Sequence, residues 1–232
     1  MNAGEKPRVI AIDGPAASGK STVALSLSRR LGFRLMDSGS MYRAVALLAV
    51  EKEVQLDDEN TLFELARSVR ADFRLELPPG ASPRVFLGDR DVTEAIRSPG
   101  VGEAVSPVSV VGGVRKEMVS LQRESVSEDG VVAEGRDIGT VVFSDAPLKV
   151  YLDAALEERI DRRYKELTDK GMNITRSSVE KETEMRDTID SSREHSPLSI
   201  APDAVLIDTT DMSVVEVVEE ISKIWNSRQR DR

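Results

Sequence analysis

Cysteine is absent from this chain of 232 residues, and histidine occurs once, at His195. Without cysteine the protein has no disulfide, no thiolate metal site and no thiol nucleophile, and it suits a reducing compartment. A single histidine also argues against a histidine-rich metal centre and against a serine–histidine–aspartate triad. We expect His195 to be an exposed surface residue, so other side chains must carry the chemistry of this chain.

Long apolar segments are missing as well. No run approaches the roughly 20 apolar residues that a membrane-spanning helix needs. The first seven residues contain no apolar core of a secretory signal. The two absences together predict a cytoplasmic protein that does not associate with a membrane. Hydrophobic residues still make up 40% of the chain, which is enough to form a buried core.

An excess of basic charge is the third missing feature. Acidic residues number 41 and basic residues 32, and the net charge is −9. A protein that binds nucleic acid needs a basic surface for the phosphate backbone, so we expect no nucleic-acid partner. We expect small-molecule partners instead, and a chain that acts as a monomer.

Short apolar runs that end at or near acidic residues recur along the chain, at residues 8–13, 131–133, 149–152 and 204–207. Continuous apolar runs of this length are typical of buried parallel strands. Helical patterns lie between them, over residues 20–31, which Gly32 closes, over 107–128 and over 214–225. This alternation predicts an α/β fold, with a parallel sheet covered by helices on both faces and a site at the carboxyl ends of the strands.

One stretch departs from this pattern. Residues 72–77 alternate apolar and polar side chains, residues 78–80 read Pro-Pro-Gly, and a second strand pattern begins at Arg84. Period-two alternation broken by turn residues is typical of antiparallel strands. We therefore predict a small antiparallel insertion over about residues 71–93.

The first predicted strand leads into a phosphate-binding motif. Residues 14–21 match G-x-x-x-x-G-K-[ST] in full, and a predicted helix follows directly. In this motif the loop amides and the helix N-terminus face a phosphate, Lys20 reaches the β- and γ-phosphates, and Ser21 places its hydroxyl on Mg²⁺. The alternative is a glycine-rich surface loop, which would need neither the strand nor the helix. The predicted ATP-binding residues are Gly14, Pro15, Ala16, Ala17, Ser18, Gly19, Lys20, Ser21 and Thr22.

Arginines cluster in the region 157–195, and they are Arg159, Arg162, Arg163, Arg176, Arg186 and Arg193. On a helix Arg186, Asp190 and Arg193 would share one face, as would Arg159 and Arg163. Mobile arginines that close over a transferring phosphoryl group stabilise its charge, so we interpret the cluster as a helical lid. The alternative is surface pairing, as in Glu158 with Arg162 or Glu182 with Arg186, worth under about 1 kcal/mol for each pair.

Two further segments are candidates for holding an anionic acceptor. Residues 37–43, Asp-Ser-Gly-Ser-Met-Tyr-Arg, open a second predicted helix, although Ser38 or Ser40 could simply cap that helix and leave Arg43 exposed. Residues 134–137, Glu-Gly-Arg-Asp, follow a predicted strand at the expected active edge. A charged cluster at that edge indicates a phosphate, a base or a metal.

These motifs narrow the class of protein. The chain has no Asn-Lys-x-Asp guanine motif and no Leu-Ser-Gly-Gly transporter signature. It resembles the bacterial cytidylate kinases over essentially its whole length. The resemblance rests on Ile12-Asp13-Gly14-Pro15 with its phosphate loop, Asp37-Ser38-Gly39 with Tyr42-Arg43, residues 134–143 (Glu-Gly-Arg-Asp-Ile-Gly-Thr-Val-Val-Phe), Asp145-Ala146-Pro147, Tyr151-Leu152-Asp153-Ala154 and the series Arg186-Asp187, Asp190, Arg193.

The resemblance implies a function and a set of site residues. It implies transfer of the γ-phosphoryl group of ATP to CMP or dCMP. The phosphate-loop motif and the lid interpretation already supply Mg²⁺ at Ser21 and the predicted catalytic residues Lys20, Arg159 and Arg163, and the resemblance adds Arg136. The acceptor residues that it implies are Ser38, Arg43 and Arg136 at the phosphate, Ser106, Arg115, Asp137 and Arg193 at cytosine, and Arg186 and Asp190 at the sugar. An aspartate can accept from the exocyclic amine of cytosine but would face a carbonyl of uracil, so CMP should be preferred over UMP.

The resemblance also implies a division of the chain. Residues 1–36 and 130–232 would form the P-loop core, with the lid at about 157–195. Residues 37–129 would form the monophosphate-binding region, including the antiparallel insertion. Two rivals stay open at this point: a related kinase for UMP, AMP or a small metabolite, and a nucleotide-sensing switch that binds without turnover.

Overall fold

A computed structural model describes residues 8–126 and 128–230. The first seven residues, on which the expectation about a signal segment rests, lie outside this range. The elements in chain order are β1 (Val9–Asp13), α1 (Lys20–Leu31), β2 (Arg34–Asp37), α2 (Ser38–Glu51), α3 (Glu59–Asp72), β3 (Phe73–Glu76), β4 (Arg84–Leu87), β5 (Arg90–Asp91), α4 (Pro99–Val110), α5 (Gly112–Glu124), β6 (Val131–Gly135), β7 (Leu148–Asp153), α6 (Leu156–Asp169), α7 (Arg176–Ser192), β8 (Val205–Asp208) and α8 (Val214–Arg230). No helix within the described ranges is long and apolar enough to cross a membrane.

The chain divides into two compact units, one formed by Met1–Phe33 with Ser127–Arg232 and the other by Arg34–Val126. In the first unit the strands run parallel in the order β6-β1-β7-β8. Ala11 lies opposite Ala133 on one side and Lys149 on the other. All residues of β1 and β6 are buried, as strands covered on both faces require. The predicted α/β fold with a parallel sheet is therefore confirmed.

Helix α1 has the predicted bounds. Gly19 precedes it with φ 89°, and Gly32 ends it with φ 67° and donates its N–H to the Ser28 carbonyl. Both positions are left-handed, which glycine adopts without steric cost. Helices α1 and α8 pack against each other, and Trp225 of α8 lies edge-on to Phe33 at 5.6 Å between ring centroids. Trp225 is buried, so it anchors the packing of α8 in the first unit.

Helices α6 and α7 pack against each other in the first unit, within the region predicted as a lid. They share a small apolar cluster of Ile160, Leu167 and Val179. The helix pair therefore has a hydrophobic seam of its own. The arginines of this region lie on and around the two helices. The sequence pattern had placed them on helices but had not shown that the helices pack together.

The second unit contains the predicted antiparallel insertion. Strands β3, β4 and β5 form an antiparallel sheet in which Phe73 lies opposite Leu87 and Phe86 opposite Asp91. The residues 78–80 that interrupt the alternation lie between β3 and β4. The period-two pattern and the turn residues were enough to identify this sheet.

The single long helix predicted over residues 107–128 is wrong. The segment contains the end of α4 and the whole of α5, separated by Val111 in an extended conformation with φ −67° and ψ 117°. A Cβ at Gly113 would lie 3.1 Å from the Phe63 side chain, which would have to shift by a few tenths of an ångström to admit it. Two consecutive helices can have the same apolar spacing as one long helix. The spacing therefore did not reveal the break at Val111.

Candidate active site

The phosphate loop, residues 14–19, lies between β1 and α1. A Cβ on Gly14 would lie 2.0 Å from the carbonyl oxygen of Leu152 in β7, so only glycine fits there. Ala17 has φ 58° and Gly19 has φ 89°, which turns the backbone tightly around the loop interior. The loop ends at the N-terminus of α1, where unpaired backbone N–H groups favour an anion.

Lys20 points its ammonium into this loop. The side chain is buried, and Nζ donates to the Pro15 carbonyl oxygen and to Ser18 Oγ. Burial and the nearby Arg136 guanidinium lower the pKa of Lys20, although Glu134, Asp13 and Asp190 act in the opposite direction. A triphosphate would add negative charge and so restore the preference of Lys20 for its charged form.

Ser21 lies one residue further into α1 and contacts β6. Its hydroxyl donates to Oε1 of Glu134 at 2.6 Å, and Glu134 is buried at the carboxyl end of its strand. Within the described residues no group of three or more histidine, cysteine or acidic side chains could hold a metal alone. A hydroxyl beside a carboxylate fits Mg²⁺, which takes oxygen ligands, few of them from protein when phosphates supply the others.

Asp13, the last residue of β1, was not singled out in the sequence. Its two carboxylate oxygens accept the backbone N–H groups of Ile138 at 2.8 Å and Gly139 at 2.7 Å. Burial raises the pKa of Asp13 to about 6, although both hydrogen bonds favour the ionised form. The available signal was an acidic residue at the end of a buried strand, a feature shared with Asp153.

Arg136 and Asp190 form an ion pair in the first unit, with Arg136 Nε 2.7 Å from Asp190 Oδ2. Burial alone would lower the pKa of Arg136, but attraction to Asp190 and the hydrogen bond between them raise it above its ordinary value. Burial also disfavours the charged Asp190, yet attraction to Arg136 holds the pKa of Asp190 below its ordinary value. The pair stays fully charged in the neutral range.

Arg193 extends this chain of alternating charges. It lies 3.7 Å from a carboxylate oxygen of Asp190 and 3.7 Å from one of Asp137, and both Arg193 and Asp137 are buried. Helix α7 ends at Ser192, so the prediction that Arg193 continues the face of Arg186 and Asp190 is wrong in detail. Arg193 is extended, with φ −61° and ψ 142°, and still pairs with Asp190. The four predicted residues Arg136, Asp137, Asp190 and Arg193 thus lie together.

The lid arginines have different surroundings. Arg159 is buried, and it donates to the carbonyl oxygens of Ala154 and of Ala16 in the phosphate loop and to Oδ2 of Asp187 at 2.6 Å. Arg163 instead pairs with Glu166 at 2.9 Å on the same helix. Arg159 therefore contacts the phosphate loop, whereas Arg163 is paired within its own helix.

Two pairs that the sequence offered as surface contacts do form. Arg162 lies 2.9 Å from Glu158, and Arg186 lies 3.5 Å from Glu182. Burial and repulsion from Arg136 lower the pKa of Arg186.

Arg162 also donates to the carbonyl oxygen of Thr209 at 2.6 Å. The sequence had not indicated Thr209, whose hydroxyl donates to the Ser18 carbonyl oxygen of the phosphate loop.

Helix α2 of the second unit is capped by a different residue from the two serines that the sequence suggested as caps. The cap is Asp37, which accepts the N–H of Ser40 at 3.0 Å, rather than Ser38 or Ser40. Ser38 is buried in the first turn. Arg43 is half-buried, and its guanidinium donates to the Ile96 carbonyl oxygen at 3.3 Å. The segment therefore holds a serine in the first turn of α2 and an arginine in the second turn.

Arg115 in α5 is the most enclosed cation of the second unit's candidate residues. It donates to the Ser109 carbonyl oxygen at 3.2 Å, and its guanidinium lies 5.4 Å from the centroid of the Tyr42 ring. Ser109 Oγ in turn donates to the Ser106 carbonyl oxygen at 2.9 Å. Ser106 and Arg115, predicted to act together, are linked through the end of α4.

Three features define a P-loop phosphotransferase. They are a parallel sheet with a phosphate loop at its carboxyl edge, a buried lysine that points into that loop, and arginines on a pair of helices. A family model described as cytidylate kinase matches residues 10–227. The chain belongs to the cytidylate kinase family.

Relatives from three bacteria agree with this assignment. The cytidylate kinase of Carboxydothermus hydrogenoformans is 45% identical, over 93% of this chain and 96% of its own length. That of Thermotoga neapolitana is 46% identical, over 95% of this chain and 98% of its own. That of Caldanaerobacter subterraneus is 47% identical, over 91% and 92%.

Proposed function

We propose that this protein transfers the γ-phosphoryl group of ATP to CMP or dCMP, giving ADP and CDP or dCDP. The observation that carries the proposal is the phosphate loop with the buried Lys20, in a chain that matches the cytidylate kinase family over residues 10–227. Membership of the family indicates CMP or dCMP as the acceptor, and the geometry of the loop supports a nucleoside triphosphate as the donor.

The reaction needs positioning and charge neutralisation more than acid–base chemistry. The acceptor oxygen belongs to a phosphate that is already anionic, so direct in-line transfer requires neither a strong base nor a covalent intermediate. The loop amides and Lys20 would bind the donor phosphates, and Arg159 would stabilise charge from its place against the Ala16 carbonyl. We propose Arg163 as a further lid cation. Closure of the lid would exclude water.

Mg²⁺ is the metal that we propose. Ser21 and Glu134 would hold it, since their oxygens lie 2.6 Å apart beside the loop. Bound there, Mg²⁺ would supply positive charge against the phosphates of the nucleotide. Glu134 extends the predicted metal site beyond Ser21.

In the first unit we propose Arg136 for the acceptor phosphate, Asp137 and Arg193 for cytosine, and Arg186 and Asp190 for the sugar. The ion pair between Arg136 and Asp190 fixes the direction of both side chains. The buried Asp137 carboxylate would accept from the cytosine amine and repel the uracil carbonyl.

In the second unit we propose Ser38 and Arg43 for the acceptor phosphate and Ser106 and Arg115 for the base. Arg115 is suited to donate to the ring carbonyl and N3 of cytosine, because the Ser109 carbonyl and the Tyr42 ring hold its side chain. Residues 37–129 would then be the monophosphate-binding region. Residues 1–36 and 130–232 would be the core, with the lid at about 157–195.

The Tyr42 ring should matter for CMP affinity through Arg115. A cation–π contact contributes about 0.5–2 kcal/mol, so Tyr42→Leu should raise the KM for CMP about 2- to 30-fold. Tyr42→Phe keeps the ring and should stay near the parent value in the same steady-state assay. An equal loss in both variants would assign the effect to the hydroxyl and contradict the role of the ring.

We further propose a cytoplasmic monomer whose partners are nucleotides alone, without nucleic acid or membrane. The net charge of −9 supports the exclusion of nucleic acid.

An acceptor panel tests the proposed reaction. With ATP and Mg²⁺ held constant, ADP formation is measured for CMP, dCMP, UMP and AMP. We expect CMP or dCMP to give the highest kcat/KM. A different leading acceptor would indicate the rival kinase, and ATP binding without acceptor-dependent ADP would indicate a nucleotide-sensing switch.

A further inference from the structure

A buried carboxylate at the end of β1 joins the phosphate loop to the segment that carries two of the proposed acceptor residues. Asp13 directly precedes Gly14, and it accepts the N–H groups of Ile138 and Gly139. Ile138 and Gly139 directly follow Arg136 and Asp137. We propose that Asp13 is a positioning residue, which orients Arg136 and Asp137 for the acceptor by holding the turn that follows them. This proposal rests on the proposed function.

The turn, Ile138–Val142, is a single π-helical turn. The N–H groups of Val141 and Val142 both bond to the Asp137 carbonyl oxygen. The first N–H groups of any helical turn have no partner within it and need a cap. Asp13 supplies that cap from a distant part of the sequence, with one carboxylate oxygen for each N–H group. Asp137 does not cap the turn with its own side chain, and its carboxylate lies 3.7 Å from Arg193 instead.

Gly139 shows how closely the turn rests on Asp13. A Cβ there would lie 3.3 Å from Oδ2 of Asp13, and 3.2 Å from Cδ of Lys149 on the other side. The Lys149 ammonium is held by Asp203 at 2.8 Å, so its alkyl chain lies along the turn in a fixed direction. The backbone at residue 139 is therefore enclosed between two strands of the sheet.

The cost of keeping Asp13 ionised indicates that it does more than stabilise the fold. Burial raises the pKa of Asp13 to about 6, so ionising this carboxyl costs more free energy in the folded chain than in the unfolded chain. The ionised carboxylate therefore lowers the free energy of unfolding. The cost is absent below pH 3.8, where both states are protonated, and it is complete above about pH 6. At neutral pH the protein carries this cost in full, although the two hydrogen bonds that orient the turn already reduce it.

The variants Asp13→Asn and Asp13→Ala test the positioning role, because asparagine keeps one acceptor oxygen and alanine keeps none. Displacing a substrate-binding group by about 1 Å can cost about 100-fold in rate. We expect Asp13→Asn to lower kcat/KM for CMP about 10-fold and Asp13→Ala about 100-fold. The preference for CMP over UMP should shrink in step, while the Kd for ATP from direct titration changes less than about 2-fold.

Gly139→Ala provides an independent variant, since it presses on Asp13 without altering its charge. It should lower the CMP-to-UMP preference in the same direction. The matched control is Asp208→Asn, which also replaces an aspartate at the end of a parallel strand, one that accepts the exposed Thr210 N–H. It should leave all three measurements unchanged.

The outcomes separate the explanations. A fall in thermal midpoint with an unchanged CMP-to-UMP preference would show that Asp13 is merely structural and would overturn the proposal. A loss confined to ATP affinity would place Asp13 on the donor side and overturn it equally. If Asp13→Ala does not fold, Asp13→Asn and Gly139→Ala decide. Failure of the parent enzyme to phosphorylate CMP would instead refute the proposed function.

Discussion

Replacing Lys20 by methionine should lower kcat for CMP phosphorylation by about three orders of magnitude. The substitution removes the one ammonium directed into the phosphate loop and keeps the aliphatic stem. Removing a single preorganised donor to a developing oxyanion costs about 10²–10³ in kcat, and Lys20 carries a full charge besides. Steady-state ADP formation at saturating CMP measures the effect.

The same variant should not lose stability. Because burial and Arg136 lower the pKa of Lys20, its charged form costs folding free energy at neutral pH, a cost that disappears only above the ordinary value of 10.5. The thermal midpoint of Lys20→Met should therefore equal or exceed that of the parent protein. Lys223→Met, which removes an exposed lysine near Glu220, should keep full activity. Near-normal turnover in Lys20→Met would refute the catalytic role of Lys20.

Arg136→Ala should lower kcat/KM for CMP by about 10²- to 10³-fold. The guanidinium stands at the carboxyl end of β6, and Asp190 fixes its direction at 2.7 Å. A planar, bidentate donor to a phosphate is lost completely in alanine, whereas Arg136→Lys keeps the charge and should recover part of the rate. Because Lys20 and the loop remain, the Kd for ATP should change little, which a separate nucleotide titration will show.

Arg136→Ala should also lower the thermal midpoint, unlike Lys20→Met. Loss of Arg136 removes the nearest cation from the largely buried Asp190 and leaves Arg193 at a longer distance of 3.7 Å. Arg90→Ala is the matched control, because Arg90 also pairs with a carboxylate, Glu51, at an exposed position. We expect neither activity nor midpoint to change in that control. An Arg136→Ala enzyme with a parent-like KM and kcat for CMP would refute the acceptor-phosphate role.

The contrast between Lys20 and Arg136 follows from their surroundings. Each is a cation at the active edge of the sheet. Arg136 has a close counter-ion, and its pKa is raised, whereas Lys20 is enclosed by loop carbonyl and hydroxyl groups, and its pKa is lowered. Sequence motifs identified both residues as functional, but their opposite effects on stability depend on neighbours that are remote in the chain.

Local patterns were sufficient for a large part of the fold. The buried strands β1, β6 and β7, the bounds of α1 and the antiparallel insertion depend on periodicity and turn residues within about ten positions, and these are visible in one sequence. The run 204–207 does form a strand, but the prediction that this strand is buried is wrong, because Leu206 is 57% exposed. The predicted helix over residues 107–128 was wrong because the chain is extended at Val111, between α4 and α5. Apolar spacing contains no information about such a break.

By itself, the amino-acid sequence determined that this chain is an α/β protein with a phosphate loop at residues 14–21, because a loop motif between an apolar strand and a helix is a local property. Only the tertiary structure decided which charges meet: Asp13 with the N–H groups of residues 138 and 139, Arg136 with Asp190, and Arg159 with the Ala16 carbonyl. These partners are separated by more than 50 residues in each case, and side chains at that separation come together only when the sheet and the helices have packed.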